Sequence, residues 1–136
     1  MLQNRVAGFT VIELLVLVVI LSVLAAIVLG NVTNYIAKSK DAAIKSTISG
    51  LGINGSVYFD NNNGNYGGFC NNIITSNVFS SINSENKHCK ASGTRWVVCA
   101  RLNVPANGSR AWCADYTGTR KEIDDSSCKP SLNFCP

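Results

Sequence analysis

The side chains able to do chemistry in this sequence are few, and Glu13 asks the sharpest question. It stands inside a run, Phe9 to Leu29, that is otherwise apolar except for Thr10 and Ser22. A carboxylate in such a segment is costly to place in a membrane and needs an opposite charge or hydrogen-bond donors. The chemistry it offers is ion pairing. Six cysteines, Cys70, Cys89, Cys99, Cys113, Cys128 and Cys135, form the other reactive set, and all lie beyond the apolar run. None shows the Cys-x-x-Cys spacing of zinc or thioredoxin-like sites, so disulfides formed outside the cytoplasm are favoured over metal binding. The one histidine, His88, sits among Glu85, Lys87 and Lys90, which reads as a solvated side chain rather than a general base. With no Gly-rich phosphate loop, paired carboxylates or Ser-His-Asp grouping, the chain reads as a non-enzyme without cofactor or metal.

The element that carries Glu13 must be a helix. Met1 to Gly8 is short and polar with one cation, Arg5, and Phe9 to Leu29 is long enough to span a bilayer at about 1.5 Å per residue. A secretory signal peptide cut near Ala25 and Ala26 is the alternative, but it would discard Glu13 and leave it unexplained. A signal anchor with Glu13 at the membrane surface is the plainer one.

The residues GFTVIELLVLVVI, Gly8 to Ile20, resemble the type IV pilin precursor motif. The resemblance implies that a prepilin peptidase and methyltransferase cuts between Gly8 and Phe9 on the cytoplasmic face and methylates the new Phe9 amine. It also implies that Glu13 pairs with the Phe9 amine of a neighbouring subunit. Physically, Arg5 holds the N-terminus inside by the positive-inside bias, and a free α-amine with a reference pKa of about 7.7 to 8.0 is cationic once exposed. Two opposite charges buried among helices specify register more than they add stability.

Past Leu29 the pattern changes. Apolar residues at Ile36 and Ala37, Ala43 and Ile44, Ile48, Leu51, Gly55, and Tyr58 with Phe59 recur at helical spacing, so the helix is expected to continue as an amphipathic one, roughly 75 Å in all at about 1.5 Å per residue. Lys38, Lys40, Asp41 and Lys45 fall largely off this stripe and are expected to face water or a neighbour. Gly30 stands where many bacterial type IV pilins carry a proline; a local melt and a simple membrane-exit residue are the two readings. Gly50, Gly52 and Gly55 predict a frayed or small-residue-packed helix end.

The remaining residues read as a small head. Asp60 to Gly68 (DNNNGNYGG) is a turn; as a calcium loop it fails, because Asn65 and Asn71 occupy the EF-hand's glycine and glutamate places. Arg95 to Leu102 and Ser109 to Tyr116 read as a hairpin across Asn103 to Gly108. Pairing Ala100 with Trp112 gathers Trp96, Val98, Ala100, Leu102, Ala114 and Tyr116 on one face, while Cys99 meets Cys113 on the other. A third strand is expected near Thr119 to Ile123. AWCADYTGTRK also resembles the end of the sheet in small type IV pilins. Sequence leaves the cysteine pairing open; Cys70 with Cys89, Cys99 with Cys113, and Cys128 with Cys135 is the favoured set. Sequons at Asn31, Asn54 and Asn107 are short enough to recur by chance.

The expected fold is α+β: a long N-terminal helix packed on a small antiparallel sheet, with a disulfide-stapled head. The expected divisions are a leader at 1–8, a transmembrane and filament-core helix at 9–29, its amphipathic continuation at 30–59, and the head at 60–136. The resemblance implies a pilin held in the inner membrane as precursor and then built, as a homo-oligomer with the pilus assembly machinery, into an extracellular helical filament for adhesion, motility or DNA uptake. A pseudopilin of a type II secretion system shares the same N-terminus, and a secreted disulfide-rich binding module is the reading from another class. A net charge of +4 does not by itself assign DNA as a partner.

Overall fold

The structure, a computed structural model, describes residues 8–105 and 109–136. Arg5 with most of the leader, and Asn107-Gly108 with their turn and sequon, lie outside the described residues. The chain forms two compact units, Met1–Ile36 and Ala37–Pro136.

Helix α1 is Val11–Asn61. It is unbroken at Gly30, since glycine weakens a helix without removing a backbone donor. Within the first unit every large apolar side chain from Phe9 to Leu29 is exposed, so none of the described residues covers this surface. Among the described residues α1 is the one helix long and apolar enough to cross a membrane.

The second unit is built on the amphipathic half of α1, the short helix α2 (Ile73–Ser81) and four strands: β1 (Lys87–Ser92), β2 (Arg95–Arg101), β3 (Arg110–Asp115) and β4 (Arg120–Asp124). The sheet is antiparallel throughout, in the order β1-β2-β3-β4. Ala100 faces Trp112 and Cys99 faces Cys113, the expected register. Two-residue periodicity then sends alternate side chains of β2 to opposite faces. On the inner face, Trp96, Val98, Ala100 and Leu102 pack with Ala114 against Ile44, Ile48 and Leu51 of α1, and Phe69 and Tyr66 close the end of this core. Fully burying a side chain such as Phe69, Ile48 or Leu51 contributes about 1.5–3 kcal/mol. The outer face carries a second core of Val97, Cys99, Ala111, Cys113 and Ile123, roofed by Cys128 and Cys135.

Strand β1 and helix α2 are additional to the expected elements. KHCKAS, the sequence of β1, has little apolar content, and its backbone pairing with β2 across Gly93, at φ 55°, makes it a strand. Helix α2 is rich in β-branched residues, which weaken helix propensity, but Asn72 caps it by accepting from the Ile74 N–H at 3.0 Å.

Two expectations are corrected. Asp41 is buried, not water-facing. Its Oδ1 accepts from the Asn103 backbone N–H at 2.6 Å and the Asn103 side-chain amide at 2.9 Å, and its Oδ2 accepts from the Val104 N–H at 2.9 Å. It lies one turn before Ile44 on the buried stripe, where a carboxylate persists because three donors satisfy it.

The second correction concerns the disulfides. Cys70 is joined to Cys89, but Cys99–Cys113 and Cys128–Cys135 do not form; Cys99 bonds Cys128 and Cys113 bonds Cys135. The reason is the outer core. Cys99 and Cys113 project side by side from neighbouring strands, and the C-terminal segment crosses over them, so each sulfur meets a partner from above. These bonds also close longer loops than the expected pairs would, which constrains the unfolded chain more strongly. Asp115 fastens the same segment, its Oδ2 accepting from the Cys135 N–H at 2.8 Å.

Candidate functional site: the N-terminal segment

Residues 8–10 precede α1, and Thr10 occupies the cap position before Val11. Its hydroxyl accepts from the Glu13 N–H at 3.3 Å, while its own backbone N–H donates to Glu13 Oε2 at 2.9 Å. This reciprocal arrangement is a capping box, which satisfies donors that a helix start leaves open. The Thr10 hydroxyl also lies 2.9 Å from Glu13 Oε2. Leu14 N–H donates to Thr10 O at 3.3 Å, closing the first turn.

The other polar groups of the apolar run are handled the same way. Ser22 Oγ donates to the Val18 carbonyl at 2.7 Å, and just beyond the run the Asn31 amide donates to the Ile27 carbonyl at 3.3 Å. Each bond lies within its own helix, so the segment presents few unmet polar groups to a hydrocarbon surrounding. Glu13 keeps formal charge and further acceptor capacity beyond the two Thr10 donors. It is the one charged side chain between Phe9 and Leu29.

Of the residues singled out in the sequence, Gly8 and Phe9 lie exposed before the helix and Glu13 lies in its first turn. Within the described residues the side chain hydrogen-bonded to Glu13 is that of Thr10 and not Phe9. Sequence reasoning treated Thr10 as a break in the apolar run. Its signal was nonetheless legible, since Thr-x-x-Glu ahead of an apolar run is the capping-box pattern.

Residues 3–29 match the family model described as the prokaryotic N-terminal methylation motif. The chain carries the type IV prepilin signature. That signature marks membrane-anchored precursors of pilin-like proteins, pilins and pseudopilins alike, that a prepilin peptidase processes. The long helix, the four-stranded antiparallel sheet and the three disulfides make an α+β pilin-like fold. No curated protein and no solved structure gives a significant match to the chain.

The prepilin signature ends at residue 29 and does not reach the head. The six cysteines are all consumed in disulfides, and among the described residues no group of three or more His, Cys, Asp or Glu is arranged to hold a metal ion. The head's buried carboxylates, Asp41 and Asp115, hold backbone N–H groups in place.

Proposed function

We propose that this chain is a structural subunit of an extracellular type IV pilus, cut between Gly8 and Phe9, methylated on Phe9, and assembled through its apolar helix. The observation that carries the reading is the prepilin signature on a segment whose large apolar side chains from Phe9 to Leu29 are all exposed. Such a surface is unstable in water and has two natural surroundings, a bilayer and a bundle of like helices. The precursor occupies the first, in the inner membrane, and the filament supplies the second. Cleavage creates the Phe9 ammonium, and Glu13 of an adjacent subunit supplies its counter-charge, which sets the axial register of the bundle. The disulfide-stapled head is suited to the filament's outer surface, where a small core needs covalent support.

The test joins two measurements. Mass spectrometry of the mature chain is expected to find N-methyl-Phe9, and electron microscopy to find long filaments containing the chain in cells with the gene and none without it. A mature start beyond Ala25 would instead identify a secreted module. Methyl-Phe9 without surface filaments, together with loss of protein secretion on deletion, would identify a pseudopilin.

A further inference from the structure

The head exposes its large apolar side chains in an uneven way. Within Ala37–Pro136 the described large hydrophobic residues left exposed are Ile53, Val57, Ile73, Ile74 and Phe134. Val57 and Ile74 line one groove, of about 210 Å³, between the last turns of α1 and the start of α2. Ile53 is one turn before Val57, and Ile73 adjoins Ile74. Tyr58 and Phe69 complete its apolar wall, and Asn54, Asn61 and Asn72 add amides to its lining. Phe134 lies elsewhere, on the C-terminal segment that roofs the outer face of the sheet, whereas α1 packs against the inner face.

We propose that the groove receives Phe134 of a second copy of the chain, joining one head to the next. The inference rests on the filament reading and adds to it a specific head-to-head contact. Size agrees: an apolar cavity of roughly 150 Å³ holds a benzene ring, and this groove is larger. Charge agrees as well. The groove lining is neutral and Asp60, next to the lining residue Asn61, is exposed on the last turn of α1, while Lys90 is exposed at the other half of the contact. Lys90 Nζ donates to Asn133 Oδ1 at 2.8 Å, which places that cation beside the ring's own neighbour.

Both halves of the contact are held in advance. Phe134 is followed by Cys135, which is bonded to Cys113 and hydrogen-bonded to Asp115. The groove's Phe69 precedes Cys70, bonded to Cys89, and the Tyr58 hydroxyl donates to the Gly67 carbonyl at 2.7 Å. Preformed halves lose little freedom on meeting. Because ring and groove occupy different faces of one head, the contact is heterologous, the kind that propagates into an open helical array when its rotation does not close.

The test places a photoreactive phenylalanine analogue at position 134 of the full-length chain in its host and irradiates sheared filaments. The expected product is a covalent dimer whose cross-link maps between Asn54 and Thr75 of the second copy. Filaments that form normally but cross-link elsewhere on the neighbour, within the same chain, to lipid or to another protein would overturn this contact and leave the filament reading standing. Absence of filaments from the unaltered chain would overturn both. Independently, Ile74→Asp is expected to lower filament yield several-fold at an unchanged level of disulfide-intact precursor, and adding Phe134→Lys in the same chain to restore it. Full yield from Ile74→Asp alone, or no recovery in the double variant, would count against the contact.

Discussion

Thr10 and Glu13 hold each other at the start of α1: the Thr10 backbone N–H and hydroxyl both reach Glu13 Oε2 at 2.9 Å, and the same hydroxyl accepts the Glu13 N–H. The carboxylate therefore has two separable duties, capping its own helix and offering charge to a neighbour. Glu13→Gln keeps an acceptor for the cap and removes the charge, whereas Glu13→Val removes both. Both variants are expected to insert and to be cleaved, since insertion improves when a charge is removed. Sheared filament is expected to fall by about a hundredfold in both, the factor that a few kcal/mol of unpaired buried ammonium implies. Wild-type yield from Glu13→Gln would show that assembly uses the cap and not the charge.

Processing is expected to fail in Gly8→Ala for a reason outside the chain. A Cβ at Gly8 meets no atom within 4 Å, so the substitution leaves the described structure undisturbed. An uncleaved, membrane-held precursor would report directly on the peptidase's tolerance after the scissile position. Normal amounts of protein beginning at Phe9 would remove Gly8 from the cleavage site.

The sequence exposed the helix, its buried stripe and the β2–β3 register because each rests on periodicity that one face of a core imposes. Ile44, Ile48 and Leu51, or Trp96, Val98 and Ala100, carry that pattern in their own spacing. What stayed hidden depends on partners distant in the chain. Asp41 looks like a surface carboxylate until Asn103 and Val104 bring it their N–H groups. Strand β1 owes its conformation to the β2 backbone rather than to its side chains. The disulfide pairing is hidden because Cys99 and Cys113 do lie side by side, and nothing local announces that the C-terminal segment passes above both. The Thr10 cap, by contrast, is carried by the local spacing of Thr10 and Glu13 alone.

Peptide mapping without reduction tests the disulfides. Trypsin cuts on either side of WVVCAR and of AWCADYTGTR but leaves Cys128 and Cys135 on one fragment, because Pro130 follows Lys129. The Cys99–Cys128 and Cys113–Cys135 bonds are therefore expected to hold three peptides in one covalent cluster. A separate WVVCAR–AWCADYTGTR pair would restore Cys99–Cys113. Replacing Cys99 and Cys128 together by serine is expected to cost about 2–5 kcal/mol of head stability.

Asp41→Ala should unfold the head more easily than any surface charge deletion. It leaves the Asn103 and Val104 N–H groups, which are part-buried, without their acceptor, at about 1 kcal/mol for each hydrogen bond lost. In the detergent-solubilised full chain the thermal midpoint of the head is expected to fall by about 10 °C or more. Lys45→Ala, which breaks a half-exposed pair with Glu122, is the control and is expected to cost at most about 1 kcal/mol. Equal losses from the two would show that Asp41 does no more than a surface charge.

The glycines near the end of α1 make opposite predictions from the same substitution. Gly50 is exposed and a Cβ there meets nothing within 4 Å, so Gly50→Ala collects the helix-propensity gain of about 1 kcal/mol. Gly55 faces Trp96, whose Nε1 would lie 3.0 Å from the new Cβ. The indole would have to yield by a few tenths of an ångström, and it is buried with the Phe69 ring 5.4 Å away and the Tyr66 ring 6.4 Å away. Close-packed aromatic surroundings resist such a shift, and overpacking of this kind costs typically about 1–3 kcal/mol. At Gly52 the near atom is the end of the Arg120 side chain, which can swing aside, so Gly52→Ala falls between the two. Thermal midpoints are therefore expected to rank Gly50→Ala above wild type and Gly55→Ala below it. A rise for Gly55→Ala equal to that of Gly50→Ala would mean that Trp96 does not press on the helix, and that the glycine is there for some reason other than the close approach.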